Sequence, residues 1–179
     1  FIQVSRLDVE QKGQDILIKA LELVKYKFGY NNFVMHFVGK GNDEAMLKKM
    51  VHDYNLDHEI VFENLKEQTW VYENLCNFDL FIQPSRYEGF GLTVAEAIAA
   101  KVPVLVSNIE GPLEIIDGGR LGLSFENKNI ADCADKIVGF IKQVRNEIQV
   151  EQAYKYVCDH YDVSVTAQKY LDVYQSILK

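Results

Sequence analysis

Two glutamates eight positions apart, Glu88 and Glu96, stand on either side of a glycine loop, Gly89-Phe90-Gly91. Before the loop an apolar run, Leu80-Phe81-Ile82, reaches Gln83 and stops at Pro84-Ser85. After it a helical pattern begins near Leu92, and a second apolar run, Val102 to Val106, follows. The unit reads strand, glycine loop, helix, strand. A helix that starts in such a loop presents unpaired backbone N–H groups and the positive end of its dipole, which together make an anion site. A carboxylate near a helix start is also a routine dipole stabiliser. That account suits Glu96 poorly, because apolar Ala97-Ile98-Ala99-Ala100 follows it. Carboxylates beside an anion site are better used as acceptors for vicinal hydroxyls, such as those of a ribose or a hexose.

A second set lies far away in the chain. Arg6 and Lys12 follow the first strand candidate, with Gly13 at the start of a helix. Two cations at the carboxyl end of a strand can clamp a diphosphate, each charge-assisted hydrogen bond contributing about 1.5–3 kcal/mol. The alternative is a pair of solvated surface cations. Gly39-Lys40-Gly41 resembles the start of a dinucleotide fingerprint, but Glu44 holds the third glycine position and the motif follows the second strand. It is either a turn that lets a ligand approach closely or a plain turn.

The elements that would position these groups alternate. Strands are expected at Phe1–Ser5, Phe33–Val38, Glu59–Phe62, Leu80–Gln83, Val104–Ser107 and Gly122–Phe125. A polar loop runs from Arg6 to Gly13. Helices are expected at Asp15–Lys27, from Asn42 or Asp43 to Tyr54 with Met46, Leu47, Met50 and Val51 inward, and at Glu67–Asn77. Others follow from Leu92, at Pro112–Asp117, Ile130–Arg145 and Glu147–His160. The final segment, residues 161–179, carries Ala167, Tyr170, Leu171, Tyr174, Ile177 and Leu178 at helical spacing. That wide apolar face must pack on this domain or on a neighbour. Short apolar strands separated by helices indicate an α/β fold, a doubly wound and mostly parallel sheet with helices on both faces. Such a sheet binds ligands at the carboxyl ends of its strands.

Composition narrows the classes. The chain has 179 residues, 48% apolar and 25% charged, which suits one globular domain. A net charge of −7 argues against nucleic acid as the main partner. No apolar run approaches the roughly 20 residues of a membrane span. There is neither a signal-peptide pattern nor an initiator Met, so an excised domain, with a segment before residue 1, is expected. Cys76, Cys133 and Cys158 are expected to be buried, reduced thiols of a cytosolic protein. His36, His52, His58 and His160 show no zinc spacing, and His52 and His58 are expected at the surface. The sequence has no Walker A run, no metal-holding D-x-D after a strand and no G-x-S-x-G elbow. The first strand ends in Ser5-Arg6, where a phospho-receiver domain would carry acidic residues.

Ser5-Arg6-Leu7 with Lys12-Gly13, Gly39-x-Gly41, and above all Pro84-Ser85-x-x-Glu88-Gly89-Phe90-Gly91-Leu92-Thr93-x-x-Glu96-Ala97 resemble the retaining glycosyltransferases of family 4. The likeness covers the whole chain as the C-terminal, donor-binding half of a GT-B fold, which is Rossmann-like. It implies a UDP- or GDP-hexose donor, a glycan or lipid-linked acceptor held by a missing N-terminal domain, and no metal or cofactor. It implies that Arg6 and Lys12 hold the diphosphate, that Glu96 binds the ribose hydroxyls and that Glu88 contacts the donor sugar. Gly39, Gly41, Ser85, Gly89, Phe90, Gly91, Leu92 and Thr93 would line the donor, and Ile60 to Leu65 would lie along the base. It also implies a cytoplasmic protein, with room for peripheral contact at the cytoplasmic face of a membrane. A noncatalytic nucleotide-sugar-binding domain and a sugar-nucleotide epimerase are the alternatives, the second lacking an identifiable acid–base pair. Lys101 and Asn64 stand where the family usually has Gly, and Ser5 replaces a common Gly. Lys101 is expected to cost about 1 kcal/mol if a left-handed helix end persists there.

Overall fold

The structure is a computed structural model describing residues 1–178. Six strands, β1 (Ile2–Val4), β2 (Met35–Val38), β3 (Ile60–Glu63), β4 (Phe81–Gln83), β5 (Val104–Ser107) and β6 (Leu123–Phe125), form one sheet in the order β3-β2-β1-β4-β5-β6. Every pairing is parallel. The chain therefore winds outward from the middle in both directions, and the strand order reverses between β1 and β4. That central pair shares a single register position, Ile2 opposite Phe81.

The helices are α1 (Val9–Lys12), α2 (Gln14–Tyr26), α3 (Glu44–Asp53), α4 (Gln68–Asn74), α5 (Leu92–Ala99), α6 (Glu110–Ile115), α7 (Ile130–Lys142), α8 (Glu147–Tyr161) and α9 (Val163–Ile177). Two apolar cores lie on the two faces of the sheet. One gathers Leu17, Leu21, Leu47, Phe37 and Ile137 beneath α2, α3 and α7. The other gathers Phe81, Val94, Ile98, Val106, Ile115 and Val157 beneath α5, α6 and α8. Complete burial of each such side chain contributes about 1.5–3 kcal/mol.

Four expectations need correction. The Arg6–Gly13 loop contains a helical turn, α1. Asp8 caps it by accepting from Gln11 N at 3.2 Å, and Gly13, at φ 67°, ends it and begins α2. Asp43 occupies the N-cap position of α3 as expected, but its carboxylate makes no cap bond there; it accepts from Val9 N at 2.8 Å and so caps α1 across the loops. Met46 points outward and is 43% exposed, because Leu47 and Val51, with Met50 packed beside them, fill the seam of α3. Of the three cysteines only Cys133 is buried. His52 and His58 are exposed.

Lys101 keeps the left-handed geometry, at φ 59°. Its ammonium donates to Glu151 at 2.6 Å and lies 4.6 Å from the Tyr154 ring centre, so α8 offsets part of the backbone cost. Asn64 is not among the residues with positive φ. Ser5 fills its position usefully, its hydroxyl accepting from Gln3 at 3.2 Å and Gln14 at 3.1 Å. Gln3 and Gln14 are completely buried, and their amides also donate to the backbone carbonyls of Lys12 and Arg6.

Candidate functional site: the crevice between β1 and β4

The strand order reverses between β1 and β4, and the carboxyl ends of such a pair flank the crevice in which a doubly wound sheet binds ligands. The loop after β1 brings Arg6 and Lys12 there, and the loop after β4 brings Glu88. Lys12 Nζ lies 2.5 Å from Glu88 Oε2, with both side chains 15% exposed. The pair joins the two sides of the crevice. Arg6 stands at the rim, 69% exposed, donating to Gln11 at 2.7 Å with Asp8 3.8 Å away. A guanidinium tethered so lightly can turn toward an anion at little cost.

Behind Glu88 sits Gln83, the last residue of β4 and 1% exposed. Its amide donates to Glu88 Oε2 at 3.0 Å and accepts from the Thr93 hydroxyl at 2.8 Å. Gly91, at φ 101°, begins α5, whose first turn opens beside this cluster. Phe90 turns its ring away from the crevice, edge-on to Tyr161 at 5.1 Å. Its backbone is approached by Gly111 so closely that a Cβ there would lie 2.7 Å from Phe90 O. Gly89, by contrast, has open space where a Cβ would be. The loop is thus anchored on one side and bare on the other.

Glu96 lies one turn further along α5, facing α4. Burial pushes its carboxyl above the usual carboxylate range, while hydrogen bonding from Gln68 and Tyr72 of α4 acts in the opposite direction. An open, mainly apolar groove of about 590 Å³ runs from Phe90, Leu92 and Glu96 to Tyr161 and Val163. Leu92 is 70% exposed at its edge.

Of the residues singled out by sequence, Gly39 and Ser85 are buried, whereas Gly41 is exposed. Gly39 and Gly41 press against the β1–α1 loop, where an added Cβ would stand 2.0 Å from Ser5 O and Leu7 O respectively. Their close approach is to protein backbone, and it fixes the path of Arg6. Ser85 is completely buried, its carbonyl accepting from Ser107 Oγ and its own hydroxyl without a partner. After β3, Asn64 and Leu65 are exposed.

Sequence reasoning missed two residues. Gln83 carried a signal, a lone polar side chain at the carboxyl end of a buried apolar strand. Arg86 carried none. It donates to both oxygens of Asp15 at 2.8 Å and to Val9 O, and its own N–H donates to Gln11 O at 2.8 Å. Asp15 holds the guanidinium above its ordinary value. Among the described residues no cluster of three or more His, Cys, Asp or Glu could hold a metal ion, and no helix is long and apolar enough to cross a membrane.

The model of the family described as "Glycosyl transferases group 1" matches residues 1–156. The poly(ribitol-phosphate) alpha-N-acetylglucosaminyltransferase of Staphylococcus aureus is 32% identical over 178 residues, 97% of this chain and 34% of the relative. The O-antigen biosynthesis glycosyltransferase WclY of Escherichia coli is 28% identical over 171 residues, 95% of this chain and 45% of the relative. This chain therefore spans less than half the length of either relative. A staphylococcal TarM variant solved with fondaparinux, alpha-GlcNAc-glycerol and UDP superposes with a TM-score of 0.83 at 30% identity, over 96% of this chain and 34% of that one. A glycosyltransferase from Rickettsia africae shares the fold, with a TM-score of 0.86 at 24% identity, over 99% of this chain and 48% of that one. With the β1–β4 crevice, its crossing ion pair and its glycine-started helix in the same chain, these likenesses place the protein in a family: it belongs to the group 1 glycosyl transferases, as a Rossmann-like domain of the GT-B type.

Proposed function

We propose that this chain is the donor-binding half of a retaining hexosyltransferase, taking a UDP- or GDP-hexose and passing the hexose to a glycan or lipid-linked acceptor. The observation that carries the reading is the Lys12–Glu88 pair at the point of strand reversal, beside the first turn of α5. One member is a cation for a diphosphate and the other an acceptor for sugar hydroxyls, so the two groups match the two chemically distinct parts of one donor. UDP is the first nucleotide to test, because the staphylococcal structure at 30% identity holds UDP.

In this reading the C1–O bond to the diphosphate breaks and its electron pair leaves on the diphosphate oxygen. Arg6, Lys12 and the amides of Gly89 to Leu92 take up that charge, which is where an enzyme gains most of its rate in such a reaction. The acceptor oxygen bonds to C1 on the same face, and its proton passes to the departing diphosphate. Glu96 accepts from the ribose hydroxyls. No metal or cofactor has a part in these steps.

The acceptor would lie in a second domain, toward which α9 packs. The exposure of Tyr170, Leu171, Tyr174 and Ile177, all above 50%, supports that arrangement. The same reading places the protein in the cytoplasm, with peripheral contact to the cytoplasmic face of a membrane where the acceptor is lipid-linked.

An NMR titration of the protein with UDP, UDP-N-acetylglucosamine and GDP tests the reading. Amide shifts at Arg6, Glu88 and Glu96 are expected with one of the nucleotides. No shift at any of them with millimolar ligand overturns it.

A further inference from the structure

We propose that Gln83 is a positioning residue that holds Glu88 in a one-sided state, with Oε2 committed to the protein and Oε1 left for the donor sugar. The inference rests on the proposed donor-binding role and goes one layer beneath it.

The geometry is a directed relay. Thr93 Oγ1 donates to Gln83 Oε1 at 2.8 Å, and Gln83 Nε2 donates to Glu88 Oε2 at 3.0 Å. Lys12 donates to the same oxygen at 2.5 Å. Glu88 Oε1 takes no hydrogen bond from any described residue, and it is not among the buried orphan atoms, so it stays open to the crevice. The direction of the relay is not arbitrary. Turning the Gln83 amide over would set its carbonyl oxygen against a carboxylate oxygen, acceptor against acceptor. The ionised carboxylate therefore fixes the amide, and the amide then requires the Thr93 proton.

Two consequences follow from that direction. With two donors on Oε2, a partial rotation of the carboxylate about its last bond would leave a buried amide unpaired, and a half turn only exchanges two equivalent oxygens, so the carboxylate plane is held in one orientation. Thr93 has one hydroxyl proton and has given it to Gln83. Toward the crevice it presents lone pairs alone, which suit a sugar hydroxyl and not a phosphate oxygen. Gln83 is 1% exposed and touches no ligand itself; it acts through its two neighbours.

Calorimetry on the full-length protein that carries this domain tests the relay, with UDP and UDP-N-acetylglucosamine as probes. The readout is the ratio of their dissociation constants, sugar nucleotide over nucleotide. Glu88→Ala is expected to raise the ratio, which tests the underlying reading. Gln83→Met, isosteric but unable to hydrogen-bond, is expected to raise it about tenfold while UDP alone binds within about twofold of wild type. Thr93→Val is expected to follow Gln83→Met, and Thr93→Ser to restore the wild-type ratio.

If Glu88→Ala leaves the ratio unchanged, the sugar-contact reading fails and the relay fails with it. If Glu88→Ala raises the ratio but Gln83→Met and Thr93→Val do not, the relay alone is overturned. A parallel weakening of UDP and UDP-N-acetylglucosamine in Gln83→Met, or a Thr93→Ser protein that behaves like Thr93→Val, also overturns it, because either marks packing and not hydrogen bonding. Should Gln83→Met fail to fold, Gln83→Leu, which also removes both hydrogen bonds, decides the matter by the same ratio.

Discussion

Arg86 and Asp15, 71 residues apart, meet through two parallel hydrogen bonds of 2.8 Å, and this fork locks the Glu88 loop to the helix that follows Lys12. A third bond from the same guanidinium reaches Val9 O in α1. The spacing of Lys12 and Glu88 is therefore set outside the pair itself. Because the side chains are 22% and 17% exposed, loss of one partner leaves the other poorly solvated.

Arg86→Gln and Asp15→Asn are each expected to lower stability by about 1–3 kcal/mol in urea denaturation. The double substitution should cost less than the sum, by about 0.5 kcal/mol or more, since the two residues act through one contact. Strict additivity would show that the fork is not what holds the loops.

Arg6 should separate chemistry from stability. Its side chain is 69% exposed and only lightly held. In the full protein, Arg6→Ala is expected to lower kcat by about 10²–10³-fold with an unchanged melting temperature, if it stabilises the leaving diphosphate. Unchanged turnover would count against that role.

Glu96 should trade stability for binding in a pH-dependent way. Burial raises its folded-state value above that of the unfolded chain. The folded protein therefore holds this proton more tightly, and stability is lost as the pH rises through the interval and the carboxylate ionises. Glu96→Gln is expected to raise the melting temperature at neutral pH and to match wild type below about pH 4, where both forms are neutral. The same substitution should weaken UDP binding, and wild-type UDP binding should fall on acidification through the raised value. Thermal melts and calorimetry across that range check both statements.

Glycines that look alike in sequence should behave differently. Gly39→Ala and Gly41→Ala drive a Cβ to 2.0 Å from a carbonyl oxygen and are expected to cost about 3 kcal/mol. Gly89→Ala meets nothing within 4 Å, so its stability should stay within about 0.5 kcal/mol of wild type. It is expected to weaken binding of UDP-N-acetylglucosamine, because the methyl group enters the side from which a donor would approach.

Much of this architecture was legible before any coordinates. Short apolar runs at regular spacing gave six strands, and β5 falls on the expected residues, Val104–Ser107. The Glu88–Glu96 loop was legible because glycines, carboxylates and a helix start occur within a few residues of one another. What was not legible depends on long-range encounters. Nothing near Arg86 announces Asp15, and nothing near Asp43 announces that it caps α1. The turn of helix α1 was missed because four residues are too few for a periodic pattern, leaving the Asp8 cap and the Gly13 stop as its only marks. Gly39 and Gly41 were recognisable as places of close approach, but sequence cannot say whether ligand or backbone comes near. Lys101 shows the reverse case. A non-glycine at φ 59° looks like a defect until Glu151 and Tyr154, some 50 residues on, are seen to receive its ammonium.

The single register position shared by β1 and β4 makes the sheet resemble two leaves joined along a short spine. The rivets across the opening are the Lys12–Glu88 and Arg86–Asp15 pairs and the bond from Arg86 N–H to Gln11 O. A donor that draws Lys12 to its phosphates, while Glu88 Oε1 meets its sugar, opens the Lys12–Glu88 link and takes its place. Affinity then includes the stiffness of the joint between the two leaves.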